Sequence, residues 1–366
     1  MADGVLLDLA RSGDEAAFAE LVRPHRPELH LHCYRLLGSF DDADDALQET
    51  LVAAWRGLPA FQAKASVRTW LYRIATNTCL NLVRKAARRP QMTQPLPGHA
   101  PVPTGSIEVT WLQPYPDKLL DGLPDSDPGP AVRVERNEAV SLAFVTALQL
   151  LSPRARAVLI LRDVLGFTAR EAADIIGSSQ EAVAMTLSRA RTTLRQHTPS
   201  PEAPPARAGT PAEERTARRL ATALAAHDID AVVSLLTDDI QMTMPPLPAI
   251  WQGRERAAEF LTAVAFRLVP EARFAETRAN RQPALAVYTR DQASGLWRSS
   301  GLLVITQRGD QITGLTRFES HTLRPFGLPR ILPDRPCGGA PTRPLSALAT
   351  STPAARPTAA PKPSTG

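Results

Sequence analysis

Cysteine is scarce in this chain: Cys33, Cys79 and Cys337 are the only three in 366 residues. Separations of 46 and 258 residues exclude a disulfide framework and a Cys-x-x-Cys metal knuckle. No apolar run approaches the ~20 residues of a membrane helix. Met1 to Ala10 has no basic stretch followed by an apolar core, so no export signal is visible. The expectation is a cytoplasmic protein with no membrane contact, no metal and no cofactor. Acids are missing from residues 51–90, which carry eight bases, whereas residues 1–50 carry eleven acids and four bases. So sharp a switch within one helical stretch points to two faces with two different partners. The net charge of +5 is a weak hint of a polyanionic partner.

Proline is abundant instead, 34 of 366, and it is clustered. Ten fall in Pro90–Pro130, five in Pro199–Pro211 and nine in Pro329–Pro363. Proline lacks a backbone donor and resists helix interiors, so these stretches read as linkers and a tail. The resulting division is 10–90, a helical unit; 91–132, a Pro-rich acidic linker; 133–197, a second helical unit; 198–212, a Pro-rich linker; 213–325, a third domain; and 326–366, a disordered tail.

In the first unit, DDADDALQETLVAAW (41–55) places Ala43, Leu47, Leu51 and Ala54 on one helical face. Asp41, Asp42, Asp44 and Asp45 crowd its first turn, more acid than capping requires, which favours a basic protein partner. In Ser66–Arg89 the apolar stripe is Val67, Trp70, Leu71, Ile74, Thr78 and Leu82. Arg73, Asn77, Asn81, Arg84 or Lys85, and Arg88 recur on another face, a pattern suited to phosphates and base edges. Phe61, Trp70 and Tyr72 lie nearby, and aromatic rings stack on unpaired bases.

The second unit holds the strongest local signal. Ser152–Pro153 opens an amphipathic helix. Thr168–Glu171 is a capping box opening TAREAADII, and Gly177 ends that helix. Ser178–Glu181 reads as a second capping box before EAVAMTLSRARTTLRQ, buried through Val183, Leu187, Ala190 and Leu194. Two short capped helices joined by a glycine turn make a helix-turn-helix, whose second helix enters the major groove.

These segments resemble regions 2 and 4 of bacterial extracytoplasmic-function (ECF) sigma factors of the sigma-70 family. The resemblance implies binding to core RNA polymerase (its β′ clamp helices and β flap) and to promoter DNA, with no catalytic residues in the factor. It places Asp42, Asp45, Gln48, Glu49 and Trp55 on the polymerase core. It assigns Phe61, Lys64, Ser66, Arg68, Arg73, Asn77 and Arg84 to −10 DNA, with residues 61–66 forming a base-capturing loop. It assigns Ser179, Gln180, Glu181, Ala184, Ser188, Arg189 and Arg191 to −35 DNA. Ala184 and Thr186 stand where the family often has basic residues. In the family the inter-region linker threads the polymerase cleft, where Asp117, Asp121, Asp125 and Asp127 would mimic nucleic acid or simply keep the linker soluble.

The third segment runs from helical sequence (EERTARRLATALAAHDIDAVVSLL) through the apolar, turn-bounded DDIQMTMPPLPAIWQG and another helix, RERAAEFLTAVAF, to the β-rich runs ALAVYTRD, LWRSSGLLVITQRGD and QITGLTRFES. Helices followed by meandering strands read as α+β. The pattern resembles the SnoaL-like, NTF2-like cone. The fold class is thus multidomain: two all-α sigma domains (a region 2 helical bundle and a region 4 helix-turn-helix) followed by an α+β NTF2-like cone. His227, Asp238, Asp239 and His321 are acid/base candidates by type, but no motif unites them. A different reading is a helix-turn-helix regulator with a ligand-binding SnoaL-like domain acting without polymerase; residues 41–89 discriminate, because such a regulator has no use for them. The tether at Pro199–Pro211 reaches about 20 Å and holds the third domain at millimolar effective concentration. The apolar cluster Met244–Trp251 is accordingly expected to contact the sigma regions.

Overall fold

The computed structural model describes residues 2–62, 65–86, 100–121, 139–197 and 209–333. The first unit comprises α1 (Ala2–Arg11), α2 (Glu15–Val22), α3 (Arg26–Leu37), α4 (Phe40–Gly57) and α5 (Val67–Ala86). Helix α1 packs on α2 through the cluster Ala10, Ala17, Leu21 and Leu58, so the unit extends ahead of residue 10. Ser39 opens α4 by accepting from Asp42 N. On α5 the deeply buried residues are Leu71, Tyr72, Ala75, Thr76 and Cys79. Val67, Trp70, Ile74, Thr78 and Leu82 are only partly buried. The stripe is rotated from the one the apolar residues suggest because α5 is covered from two sides, by α3 and by a helix of the second unit.

Residues 100–121 run between the units and end in a short helix, α6 (Asp117–Leu120). The second unit comprises α7 (Leu142–Gln149), α8 (Pro153–Leu159, continued by a π turn, Ile160–Val164), α9 (Ala169–Ile176) and α10 (Gln180–His197). The Thr168–Glu171 capping box forms in full and Gly177 takes the left-handed conformation at φ 68°. The cap of α10 is Ser179, not Ser178: its Oγ accepts from Ala182 N at 3.2 Å.

The third domain opens with α11 (Pro211–Ala225) and α12 (Ile229–Ser234). DDIQMTMPPLPAIWQG, which reads as a turn-bounded stretch, is a hairpin of β1 (Leu236–Met244) and β2 (Leu247–Gln252) joined at Pro245–Pro246. Helix α13 (Arg254–Phe260) is followed by a π turn and a short helix, α14 (Phe266–Leu268). Strands β3 (Ala272–Ala279), β4 (Gln282–Arg290), β5 (Trp297–Arg308) and β6 (Gln311–Glu319) complete a mixed sheet in the order β2-β1-β6-β5-β4-β3, in which β1 runs parallel to β6. A further strand, β7 (Ile331–Leu332), pairs with β5, so the expected tail contributes to the sheet before leaving the described residues.

Alternation along the strands gives the sheet two apolar faces. Leu285, Ile305 and Leu315 join Trp251, Phe260 and the helices of the third domain in one core. Ala284, Ala286, Tyr288, Leu302, Val304 and Phe318 belong to a second core that is continuous, through Tyr115 and Leu120, with both helical units. This second core is the one the three parts share.

Candidate nucleic-acid and polymerase interfaces

On α4, Asp42, Asp45, Gln48 and Glu49 are exposed on the solvent side of a helix whose other face is buried through Ala43, Ala46, Leu47, Thr50 and Ala54. Trp55 is half-buried against Phe18, with ring centroids 5.1 Å apart. Asp41 is drawn into the linker: Gln113 accepts from Asp41 N at 2.9 Å and donates to Asp41 Oδ2 at 3.0 Å.

On α5, Arg73, Asn77, Asn81, Arg84 and Lys85 are exposed together, the cation-and-amide stripe expected from spacing. Two of the residues expected at −10 DNA are engaged within the protein. Phe61 is 8 % exposed and stacks on Trp70 with centroids 4.7 Å apart, so its ring fills the core rather than facing a base. Arg68 turns inward: its Nε donates to Glu28 Oε2 at 3.1 Å, and its guanidinium lies over Tyr72 and Phe167. Glu28 is itself held below the usual carboxylate range, because bonds from His25 and Arg68 outweigh the burial that would raise it. Lys64 lies outside the described residues; Ser66 is exposed and caps Thr69 N at 3.0 Å.

On α10, Gln180, Glu181, Ala184, Ser188 and Arg189 are exposed, with Ser179 capping the helix. Arg191 is exposed but already paired, donating to Asp163 Oδ2 and Oδ1 at 2.8 and 2.7 Å. A cavity of about 320 Å³ lies beside it, lined by Arg162, Ala184, Ser188, Arg191 and Arg195 among others. Exposed Met185 lies on the same helix and was not singled out by spacing.

What sequence reasoning missed is the contact between the two reading units. Arg156 is buried between them. It donates to Leu148 O, Gln149 O, Gln149 Oε1 and Leu151 O within the second unit and to Leu36 O of α3. Burial lowers its pKa to about 10, so it stays charged at neutral pH, and carbonyl and amide oxygens are its partners. Gln149 Nε2 donates to Arg35 O, and Arg35 Nε to Ala139 O. Phe167 meets Tyr72 edge-on at 5.2 Å, and α9 packs along α5. Helix α5 is thus partly covered by the second helical unit.

The linker acids also have structural partners. Asp117 is buried, pairs with Arg278 at 3.2 Å and accepts from Arg281 N at 2.7 Å; Asp121 pairs with Arg281 at 2.5 Å. Asp125 and Asp127 lie outside the described residues. At the other end, Thr104 and Gly105 add to the β2 edge opposite Ile250, and Trp251 Nε1 donates to Pro101 O at 3.0 Å. The Met244–Trp251 region therefore contacts the linker; the contacts with the helical units come from the β3–β4 end of the sheet. Of the acid/base candidates, His227 bonds Val269 O, Asp238 pairs with Arg254 from within β1, and His321 pairs with Glu319, each outside the set.

Comparison with known proteins identifies the family. Residues 21–89 match the sigma-70 region 2 family, 141–194 the sigma-70 region 4 family and 217–320 the SnoaL-like domain. The chain is 40 % identical over 325 residues to the ECF RNA polymerase sigma factor SigG of Mycobacterium tuberculosis, covering 87 % of this chain and 85 % of that one. It is 29 % identical over 263 residues to SigJ of the same organism, covering 70 % and 75 %. The crystal structure of that SigJ superposes with a TM-score of 0.54 at 22 % identity, covering 86 % of this chain and all of that one, a likeness of fold. With both regions matched in order, residues 41–89 have the role that a stand-alone helix-turn-helix regulator lacks: the chain belongs to the ECF RNA polymerase sigma factors, with a SnoaL-like domain at its C-terminal side.

Proposed function

We propose that the chain is a promoter-directing initiation factor folded here in a closed, non-initiating arrangement, and that its SnoaL-like domain is a built-in restraint rather than an enzyme. In this reading, Asp42, Asp45, Gln48 and Glu49 dock on basic helices of the core polymerase, steered by their exposed charge. The stripe Arg73, Asn77 and Arg84 follows −10 DNA, and the N-terminal half of α10 reads −35 DNA. The chemistry of initiation belongs to the polymerase.

The direct packing of region 2 on region 4 carries the reading. By their numbering the −10 and −35 elements are about 25 base pairs apart, roughly 85 Å at ~3.4 Å per pair. Two units joined by Arg156 and by Phe167 on Tyr72 cannot reach both ends of that span. Arg68 is also engaged by Phe167 of region 4 and by Glu28. Opening must therefore precede simultaneous engagement of both promoter elements, and the C-terminal domain, whose second core face is shared with both regions, stabilises the closed form.

Energy transfer between dyes at the exposed positions Ala16 (α2) and Thr192 (α10), in a chain with Cys337→Ser, tests this. The free chain should give high transfer, and the complex with core polymerase and promoter DNA little or none. Equal transfer in the two states would refute the closed arrangement.

A further inference from the structure

We propose that the tip of the β3–β4 hairpin, centred on Asn280, is the latch that ties region 2 to region 4. The inference rests on the closed-state reading and locates its control in one side chain. Asn280 and Arg281 form the two-residue turn between Ala279 and Gln282, with φ of 56° and 61°. Positive φ at both central positions is what a tight hairpin turn demands, and asparagine tolerates it better than most residues. Turns of this kind normally face water, yet Asn280 is 0 % exposed.

Every polar group of that side chain is bonded to a different part of the molecule. Its Oδ1 accepts from Tyr115 N of the linker at 2.8 Å, and its own backbone N donates to Tyr115 O at 2.8 Å. Its Nδ2 donates to Tyr34 OH of region 2 at 2.9 Å and to Val140 O, at the entrance to region 4, at 2.7 Å. One nitrogen thus carries a bond to each sigma region, so the two regions cannot separate without breaking at least one of them. Tyr34 passes the tie onward by donating to Gln113 O at 2.9 Å.

The flanking residues repeat the pattern. Gln282 Oε1 accepts from Leu142 N at the start of α7. Arg278 and Arg281 clasp Asp117, and Arg278 also reaches Glu213 at 3.0 Å. Within five residues the hairpin engages region 2, the linker, region 4 and its own domain. Bonds buried in this way are individually worth more than exposed ones and act together.

The test is Asn280→Gly, which keeps the left-handed turn and removes only the side-chain bonds. The same dye pair at Ala16 and Thr192 reads the opening, and promoter binding in the presence of core polymerase reads the consequence. Loss of the two inter-region bonds should shift the closed–open equilibrium toward open by about 10-fold or more and raise promoter affinity in step. Tyr34→Phe, which removes one acceptor without touching the hairpin, should give the same change at a few-fold size. A closed wild type with an equally closed Asn280→Gly overturns the latch while leaving the closed-state reading intact. So does a variant that melts at lower temperature with unchanged transfer, since a purely structural role predicts that result. A wild type already extended in the free chain overturns the closed-state reading and the latch with it.

Discussion

Helix α10 presents to solvent the face proposed to read DNA, whereas α5 has part of its own proposed face inside the molecule. Both are long helices with a buried apolar side and cations on another. On α10 the exposed residues run from Gln180 through Arg189 with region 4's own core behind them. On α5 the exposed stripe begins only at Arg73, because Arg68 and Tyr72 are covered by Phe167 and Glu28. The difference teaches an order of events. On the proposed reading, the −35 face is open in the closed form, whereas the −10 face is completed only when region 4 moves away.

The strongest way to break the comparison is to remove the residue that joins the two units. Arg156→Ala removes the guanidinium donor from Leu36 O of region 2 and from Gln149 O and Leu151 O of region 4. Each such group costs about 1–3 kcal/mol, so a destabilisation of about 3–5 kcal/mol is expected, a fall in melting temperature of roughly 10 °C by calorimetry. A change under about 1 kcal/mol would mean that the interface is held elsewhere.

Acid should sharpen the comparison by loosening region 2 alone. His32 is fully buried between Thr76 and Tyr72, and burial, reinforced by Arg35 and Arg68, pushes its pKa down to about 3 from 6.5. The unfolded chain therefore binds a proton that the folded one refuses. Stability is complete above about pH 6.5 and is lost as the pH falls toward 3, by about 2 kcal/mol at pH 5. Burial lowers His30 as well, so it adds in the same direction. The described part of region 4 has no buried histidine. Hydrogen exchange at pH 5 should rise first in α3 and α5; a uniform rise would contradict this assignment.

The smallest effect separates two arginines on α10. Arg189 has no ion pair among the described residues, while a phosphate must compete with Asp163 for Arg191. Arg189→Ala should flatten the salt dependence of −35 DNA binding by about one phosphate unit, and Arg191→Ala by clearly less. Asp163→Asn should raise the effect of Arg191→Ala to the full unit. Equal slopes for the two alanine variants would show that the ion pair does not restrain Arg191.

The helix-turn-helix was legible because its signals are local: Ser152–Pro153, the Thr168–Glu171 box and Gly177 each act within four residues. The acidic face of α4 and the cationic stripe of α5 followed from spacing for the same reason. The buried stripe of α5 was misplaced because Tyr72 and Thr76 are buried through polar contacts with Glu28 and His32, which an apolar count overlooks. Strands β1 and β2 were hidden by Pro245–Pro246, whose ring constraints suggest a loop but here make the hairpin turn itself. The latch was invisible because asparagine in a turn is an ordinary sight, and only the fold brings Tyr34, Tyr115 and Val140 to it from 246, 165 and 140 residues away.

The strip of linker on β2 has a consequence for the C-terminal domain taken by itself. Thr104 and Gly105 occupy the backbone groups of an outermost strand, and Pro101 receives the Trp251 indole from 150 residues away. An outermost strand with free backbone groups recruits a strand from another molecule. The linker thus covers this edge only while the polypeptide is unbroken, and a C-terminal fragment beginning after region 4 is expected to leave it open for pairing.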